Sequence, residues 1–135
     1  MDGTQHSPHH FIAFVRHGER ADQVKHVKVH NVVDPLLTPT GARQSKKAGE
    51  YLASYFEENE MKFDHVSIIS SPFLRCIQTA AQIAKAMNVN DIEIHYSLSE
   101  AMNEEIFPKP EMKKPLNNIE YTKHNYDVGA IKAAV

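Results

Sequence analysis

Three short, β-prone apolar runs separated by two long segments of helical period constrain this chain more than any other feature. Phe11, Ile12, Ala13, Phe14 and Val15 make the first run, apolar on both faces, as expected of a strand buried inside a parallel sheet. Residues 66–69 make the second. Residues 92–96 alternate in polarity and read as a third strand.

After the first run, Thr38 and Pro39 open a helix of about 20 residues, with Thr as N-cap and Pro at the first helical position, where its missing N–H is harmless. Ala48, Tyr51, Leu52, Tyr55 and Phe56 give that helix an apolar face, opposite Arg43, Lys46, Lys47, Glu50 and Glu57. Ser70, Ser71 and Pro72 repeat the cap-then-proline grammar. Phe73, Cys76, Ile77, Ala80, Ala84 and Met87 then mark a second amphipathic helix. Residues 18–37 lack a helical period and read as a long loop with a turn at Asp34 and Pro35, anchored by Val27, Val29, Val32 and Val33.

Strands alternating with helices imply an α/β domain with a parallel or mostly parallel sheet. In such sheets ligands bind beyond the carboxyl ends of the strands, so the residues after 15, 69 and 96 are selected for attention. Residues 1–10 read as a flexible leader and 11–135 as one domain, with its motif-bearing part at 11–100. Beyond 100 the pattern weakens through Pro108, Pro110 and Pro115, and residues 130–135 begin a helix or strand.

Composition narrows the function classes. The chain has 135 residues with 15 basic and 17 acidic side chains, enough for one ordinary domain and without the basic footprint of a nucleic-acid binder. A hydrophobic fraction of 41% with 24% charged residues argues against global disorder. No apolar run approaches the roughly 20 residues needed to cross a bilayer, and the amino terminus has neither a signal nor a transit pattern. The single cysteine, Cys76, cannot close an internal disulfide. The expectation is a soluble, cytoplasmic protein with no membrane or nucleic-acid partner.

All three selected places hold residues suited to phosphoryl transfer. After the first run come Arg16, His17, Gly18, Glu19 and Arg20: an imidazole between two guanidiniums, whose planar forks suit phosphate oxygens at any working pH. A neutral imidazole nitrogen can attack phosphorus while arginines neutralise the equatorial oxygens. After the second run Arg75 lies one turn into a helix whose positive end also favours an anion. After the third comes Glu100, a carboxyl able to protonate a leaving oxygen.

RHGE at 16–19, LTPTG at 37–41 and SSPFLRCIQTA at 70–80, in this order and spacing, resemble the histidine phosphatase superfamily, also called the phosphoglycerate mutase-like fold. The resemblance implies a three-layer α/β/α domain, present here as its amino-terminal part. It also implies a phosphomonoesterase that needs no metal or organic cofactor. By the same resemblance His17 is the phosphorylated nucleophile, Arg16 and Arg75 are phosphate ligands and Glu100 is the general acid. Arg20 matches a second arginine in members resembling the ubiquitin-associated, SH3-containing phosphatases, which share the RHGER form. A phosphorylated small molecule or a phosphoprotein is the implied substrate.

The departures from the family are specific. Phosphoglycerate mutases follow their first motif with a Trp-Asn pair, whereas this chain has Ala21-Asp22 and no tryptophan, which argues against a glycolytic mutase. The acid phosphatase and phytase branch wants a proline soon after RHGxR and a different second motif. Members also carry a second active-site histidine followed by glycine. No His-Gly pair follows His17-Gly18, and His124, the one histidine after Glu100, precedes Asn125. Two expectations follow: a piece of a longer phosphatase, or a natural short form acting as a non-catalytic pseudophosphatase or structural subunit. A sheet lacking a strand beside its first one would expose an apolar edge that a protein partner or an oligomer could cover.

Other reactive side chains have plainer readings. Cys76 lies on the apolar face of its helix and reads as a small packed side chain. His26 and His30 are four apart but separated by valines in a segment without helical period, which favours a loop over a metal site. His6, His9 and His10 belong to the leader, and Lys46-Lys47 is a solvated face.

Overall fold

The structure, a computed structural model, describes residues 10–26, 29 and 34–99 and the backbone of one strand at 130–134. Its regular elements are α1 (Pro39–Glu58), β1 (Ile68–Ser70), α2 (Leu74–Met87), β2 (Asp91–His95) and β3 (Ala130–Ala134). The strands form one parallel sheet in the order β1-β2-β3, with Ile68 opposite Ile92 and Ser70 opposite Ile94. This register brings the carboxyl ends of β1 and β2 to the same edge, and β1 delivers the chain there directly into the amino end of α2.

The core sits where α2 covers the sheet. Ile92 and Ile94 are fully buried and Glu93 between them is not, the alternation of a strand with one covered face. Against Ile92 pack Ala80, Ala81 and Ala84, with Ile68 and Val89 at the margin. Each isoleucine side chain so buried contributes about 1.5–3 kcal/mol. The helix ends at Asn88, whose left-handed backbone (φ 56°) lets its N–H reach the Ala84 and Lys85 carbonyls.

α1 packs on α2 rather than on the sheet. Its buried residues are Gly41, Ser45 and Gly49, a stripe of small side chains at four-residue steps. A Cβ added to Gly49 would lie 2.8 Å from the Ala86 Cβ and 2.8 Å from the Ile83 Cα, so the two backbones approach more closely than any larger residue permits. The expected aromatic face is therefore not the contact with α2. Tyr51 is 68% exposed, and Tyr55 and Phe56 join Phe11 and Phe63 in a separate aromatic cluster, with Phe11 and Phe56 centroids 5.0 Å apart.

Two further expectations are corrected. Residues 11–15 do not form a strand: Ile12 is 76% and Phe14 95% exposed, and the segment makes no ladder with β1. An apolar run reports a need for burial, but a strand exists only where a neighbour supplies its hydrogen bonds; here Phe11 finds the aromatic cluster instead. The second helix starts at Leu74, not at the Ser71-Pro72 cap: its N-cap residue is Phe73, and the buried Ser71 hydroxyl makes no hydrogen bond to the helix amides. Among the described residues the layers run sheet, α2, α1, which gives the expected α/β class with a parallel sheet. No helix among the described residues is long and apolar enough to cross a membrane.

Gly49 offers a test by sign. Alanine in a helix interior ordinarily stabilises by about 1 kcal/mol relative to glycine, whereas overpacking costs about 1–3 kcal/mol. Gly49→Ala is expected to lower stability in urea denaturation. A gain would show that the helices do not meet at this point.

Candidate active site

The segment that carries His17 lies on the first turn of α1, and two glycines make that possible. A Cβ on Gly18 would meet the Gly41 carbonyl oxygen at 2.3 Å, and a Cβ on Gly41 would meet the Glu19 carbonyl oxygen at the same distance. Hydrogen bonds hold the two backbones together. Thr38 N–H donates to the Glu19 carbonyl (3.0 Å), Ala21 N–H to the Leu36 carbonyl (2.8 Å) and Glu19 N–H to Gln44 Oε1 (2.9 Å). The Thr38 hydroxyl donates to Glu19 Oε1 (2.6 Å) and accepts the Gly41 N–H (2.9 Å), so the expected N-cap of α1 also grips the motif loop.

α2 closes the arrangement from the other side. The Thr79 hydroxyl accepts the Gly18 N–H (3.2 Å) while donating to the Arg75 carbonyl (2.9 Å), and the Leu37 N–H donates to Gln78 Oε1 (2.7 Å). Gln78 and Thr79 are buried, so each bond removes an amide that would otherwise be stranded, at about 1–3 kcal/mol apiece. The loop after residue 15 and the helix after β1, far apart in sequence, are thus fastened together at the carboxyl end of the sheet.

His17 sits half-buried within this frame. Its Nδ1 donates to the Gly18 carbonyl (2.8 Å), which leaves the lone pair of the neutral ring on Nε2. Burial holds the imidazole below its ordinary value of 6.5, and the charges of Arg75, Arg20 and Arg16 push it the same way, against the Gly18 carbonyl, which favours the protonated ring. The arginines differ in setting. Arg75 is 3% exposed, its guanidinium 4.2 Å over the Phe73 ring. Arg16 is exposed. Arg20 is engaged by Asp22 through Nε (2.9 Å) and a terminal nitrogen (2.6 Å), so its fork faces a carboxylate that an anionic ligand would have to replace.

The structure therefore sets Arg16, Arg20 and Arg75 near enough to His17 for their charges to act on it, while Glu100, His30 and His124 lie outside the described residues. Cys76 is half-buried. Among the described residues no group of three histidine, cysteine or carboxylate side chains is placed to hold a metal. Sequence reasoning passed over Thr38, Gln44, Gln78, Thr79 and Asp34 as parts of the site. Four of them fall in or beside LTPTG and SSPFLRCIQTA, so those motifs carried the signal without the roles. Asp34 was legible only as a turn residue. It is 3% exposed, its Oδ1 accepts the Leu74 N–H (2.8 Å), and burial pushes its carboxyl up to about 6.

The sequence profile of the histidine phosphatase superfamily (branch 1) matches residues 12–120, a span that contains the His17 loop, α1 and α2. The chain belongs to that superfamily. It is also similar to the broad-specificity phosphatase YOR283W of Saccharomyces cerevisiae, with 32% identity over 86 residues, 64% of this chain and 34% of the yeast protein. The chain thus matches about a third of the length of that relative.

The lowered His17 value has a checkable sign. An unfolded imidazole takes up its proton near 6.5 and the folded one only at lower pH, so the folded state loses stability as pH falls below 6.5 and none at neutral pH. In an NMR titration the His17 ring is expected to have its midpoint below 6.5, moving upward in Arg20→Ala. A midpoint above 6.5 would contradict the site as described.

Proposed function

We propose that the protein is a phosphomonoesterase that works through a phosphohistidine on His17. The observation that carries this reading is an imidazole whose Nδ1 is held by the Gly18 carbonyl, leaving Nε2 free to attack, and on which burial and the charges of Arg75, Arg20 and Arg16 act to favour the neutral ring. In the first step the Nε2–P bond forms as the ester P–O bond breaks, and the leaving oxygen takes a proton from an acid, the role the family resemblance gives to Glu100. The arginines offset the charge on the three equatorial oxygens. In the second step water attacks, the N–P bond breaks and inorganic phosphate departs, returning His17 to its neutral form.

A substrate in the class of phosphorylated small molecules or phosphoproteins fits a site built from guanidiniums and one nucleophile. Within the superfamily, the RHGER sequence at 16–20 favours the branch resembling the ubiquitin-associated, SH3-containing phosphatase domains over the mutases. The yeast relative is a broad-specificity phosphatase by name, which supports transfer to water rather than to a second acceptor. A cytoplasmic setting accords with this reading.

The alternative is a domain that binds phosphate without turnover, a role that Arg16, Arg20 and Arg75 would support without a nucleophile. The experiment that separates the two measures p-nitrophenyl phosphate hydrolysis and inorganic phosphate binding in the same preparations. Turnover is expected in the native protein and at least a 1,000-fold loss in His17→Ala, of the order seen when a covalent nucleophile is removed, with phosphate affinity largely kept. Phosphate binding without turnover in the native protein would favour the binding role, and undiminished turnover in His17→Ala would sink the phosphohistidine.

A further inference from the structure

We infer that Asp34 is a positioning residue for the phosphoryl site, because its buried carboxylate supplies the cap that α2 lacks and so fixes the depth and aim of Arg75. The inference rests on the phosphatase reading. The amino end of α2 has no cap of its own: the N-cap residue is Phe73, whose side chain offers no acceptor. Neither serine ahead of the helix fills that place: the buried Ser71 hydroxyl makes no hydrogen bond, and the Ser70 hydroxyl is hydrogen-bonded to the Ser71 carbonyl.

Asp34, forty positions upstream, takes that place. Its Oδ1 accepts the Leu74 N–H at 2.8 Å, and the residue is as deeply buried as Arg75. A carboxylate at the amino end of a helix is favoured by the aligned peptide dipoles, and Arg75, the next residue along, is the charged group that draws on Asp34 electrostatically. Arg75 cannot swing freely, since its guanidinium lies over Phe73, the N-cap residue itself. Moving the Leu74 amide therefore moves Phe73, and with it the platform on which Arg75 rests. The same segment carries Leu37, held by Gln78, and Thr38, held by Glu19. Asp34 thus ties the loop that grips the His17 motif to the helix that carries Arg75.

Charge and position make opposite demands here, which gives a clean test. A nearby negative charge by itself weakens anion binding, so removing it should tighten phosphate. Losing the cap should loosen it. Asp34→Asn removes the charge and keeps an oxygen of the same reach, Asp34→Ala removes both, and Asp34→Glu keeps the charge but displaces the oxygen by one methylene. In the full chain, inorganic phosphate affinity by calorimetry and p-nitrophenyl phosphate turnover are expected to fall 10-fold or more in Asp34→Ala and Asp34→Glu. Both are expected to stay within about three-fold of the native values in Asp34→Asn. The Leu74 amide should exchange faster in Ala and Glu than in Asn while the middle of α2 stays protected. If Ala does not fold, the Asn and Glu pair decides alone. Asn and Ala or Glu shifting together, in either direction, would overturn the positioning role. A native protein that neither binds phosphate nor hydrolyses the ester would overturn the phosphatase reading and this inference with it.

Discussion

The backbone contact between Gly18 and Gly41 is the constraint on which the site depends. With no side chain on either residue, the loop bearing His17 lies against the first turn of α1 at a distance that a Cβ would make impossible. Every other fastening follows from that approach. Thr38 can cap α1 and hold Glu19 with one hydroxyl because the two strands of chain are already adjacent, and Thr79 can reach the Gly18 amide because α1 meets α2 through Ser45 and Gly49 rather than through bulky residues. Small residues thus determine where the proposed nucleophile stands, although they contribute little hydrophobic burial themselves.

The electrostatics build on this geometry. Partial burial and three neighbouring guanidiniums favour the neutral form of His17, as the proposed nucleophilic role requires, and the Gly18 carbonyl fixes which nitrogen is free. The cationic groups that act on His17 are of the kind suited to a phosphoryl group, so under the proposed function one arrangement would both prepare the nucleophile and receive its target. Arg20 differs from Arg75 in this respect. It is satisfied by Asp22 in the absence of an anion, whereas Arg75 is held inside the fold by Phe73 and by the helix it belongs to.

Much of the molecule was legible in the sequence. The helix opened by Thr38-Pro39, the strand and helix around 66–87 and the alternating third strand all stand near their expected places, because caps, periodicity and β-branched runs act locally. His17, Arg16, Arg20 and Arg75 were selected by the placement rule for parallel sheets together with their chemistry, and for the first three that rule leaned on a strand at 11–15 that the structure does not form. What escaped depends on partners remote in sequence. Residues 11–15 carry the composition of a buried strand, yet a strand needs a neighbour that composition does not reveal. The contact face of α1 was misassigned to its aromatic stripe because Gly41, Ser45 and Gly49 leave no mark in a hydrophobic pattern. Asp34 reads as a turn residue until the fold sets it against Leu74, and Thr79 reads as one more polar helix position until Gly18 arrives above it.

The central claim is that His17 becomes covalently phosphorylated, and it is tested most directly by mass spectrometry of the protein quenched in alkali during turnover of a phosphomonoester. Phosphohistidine survives alkali, so the account requires an added phosphoryl group on the peptide containing His17, absent in His17→Ala. Continuing turnover with His17 unmodified and the phosphoryl group on another residue, or on none, would contradict it.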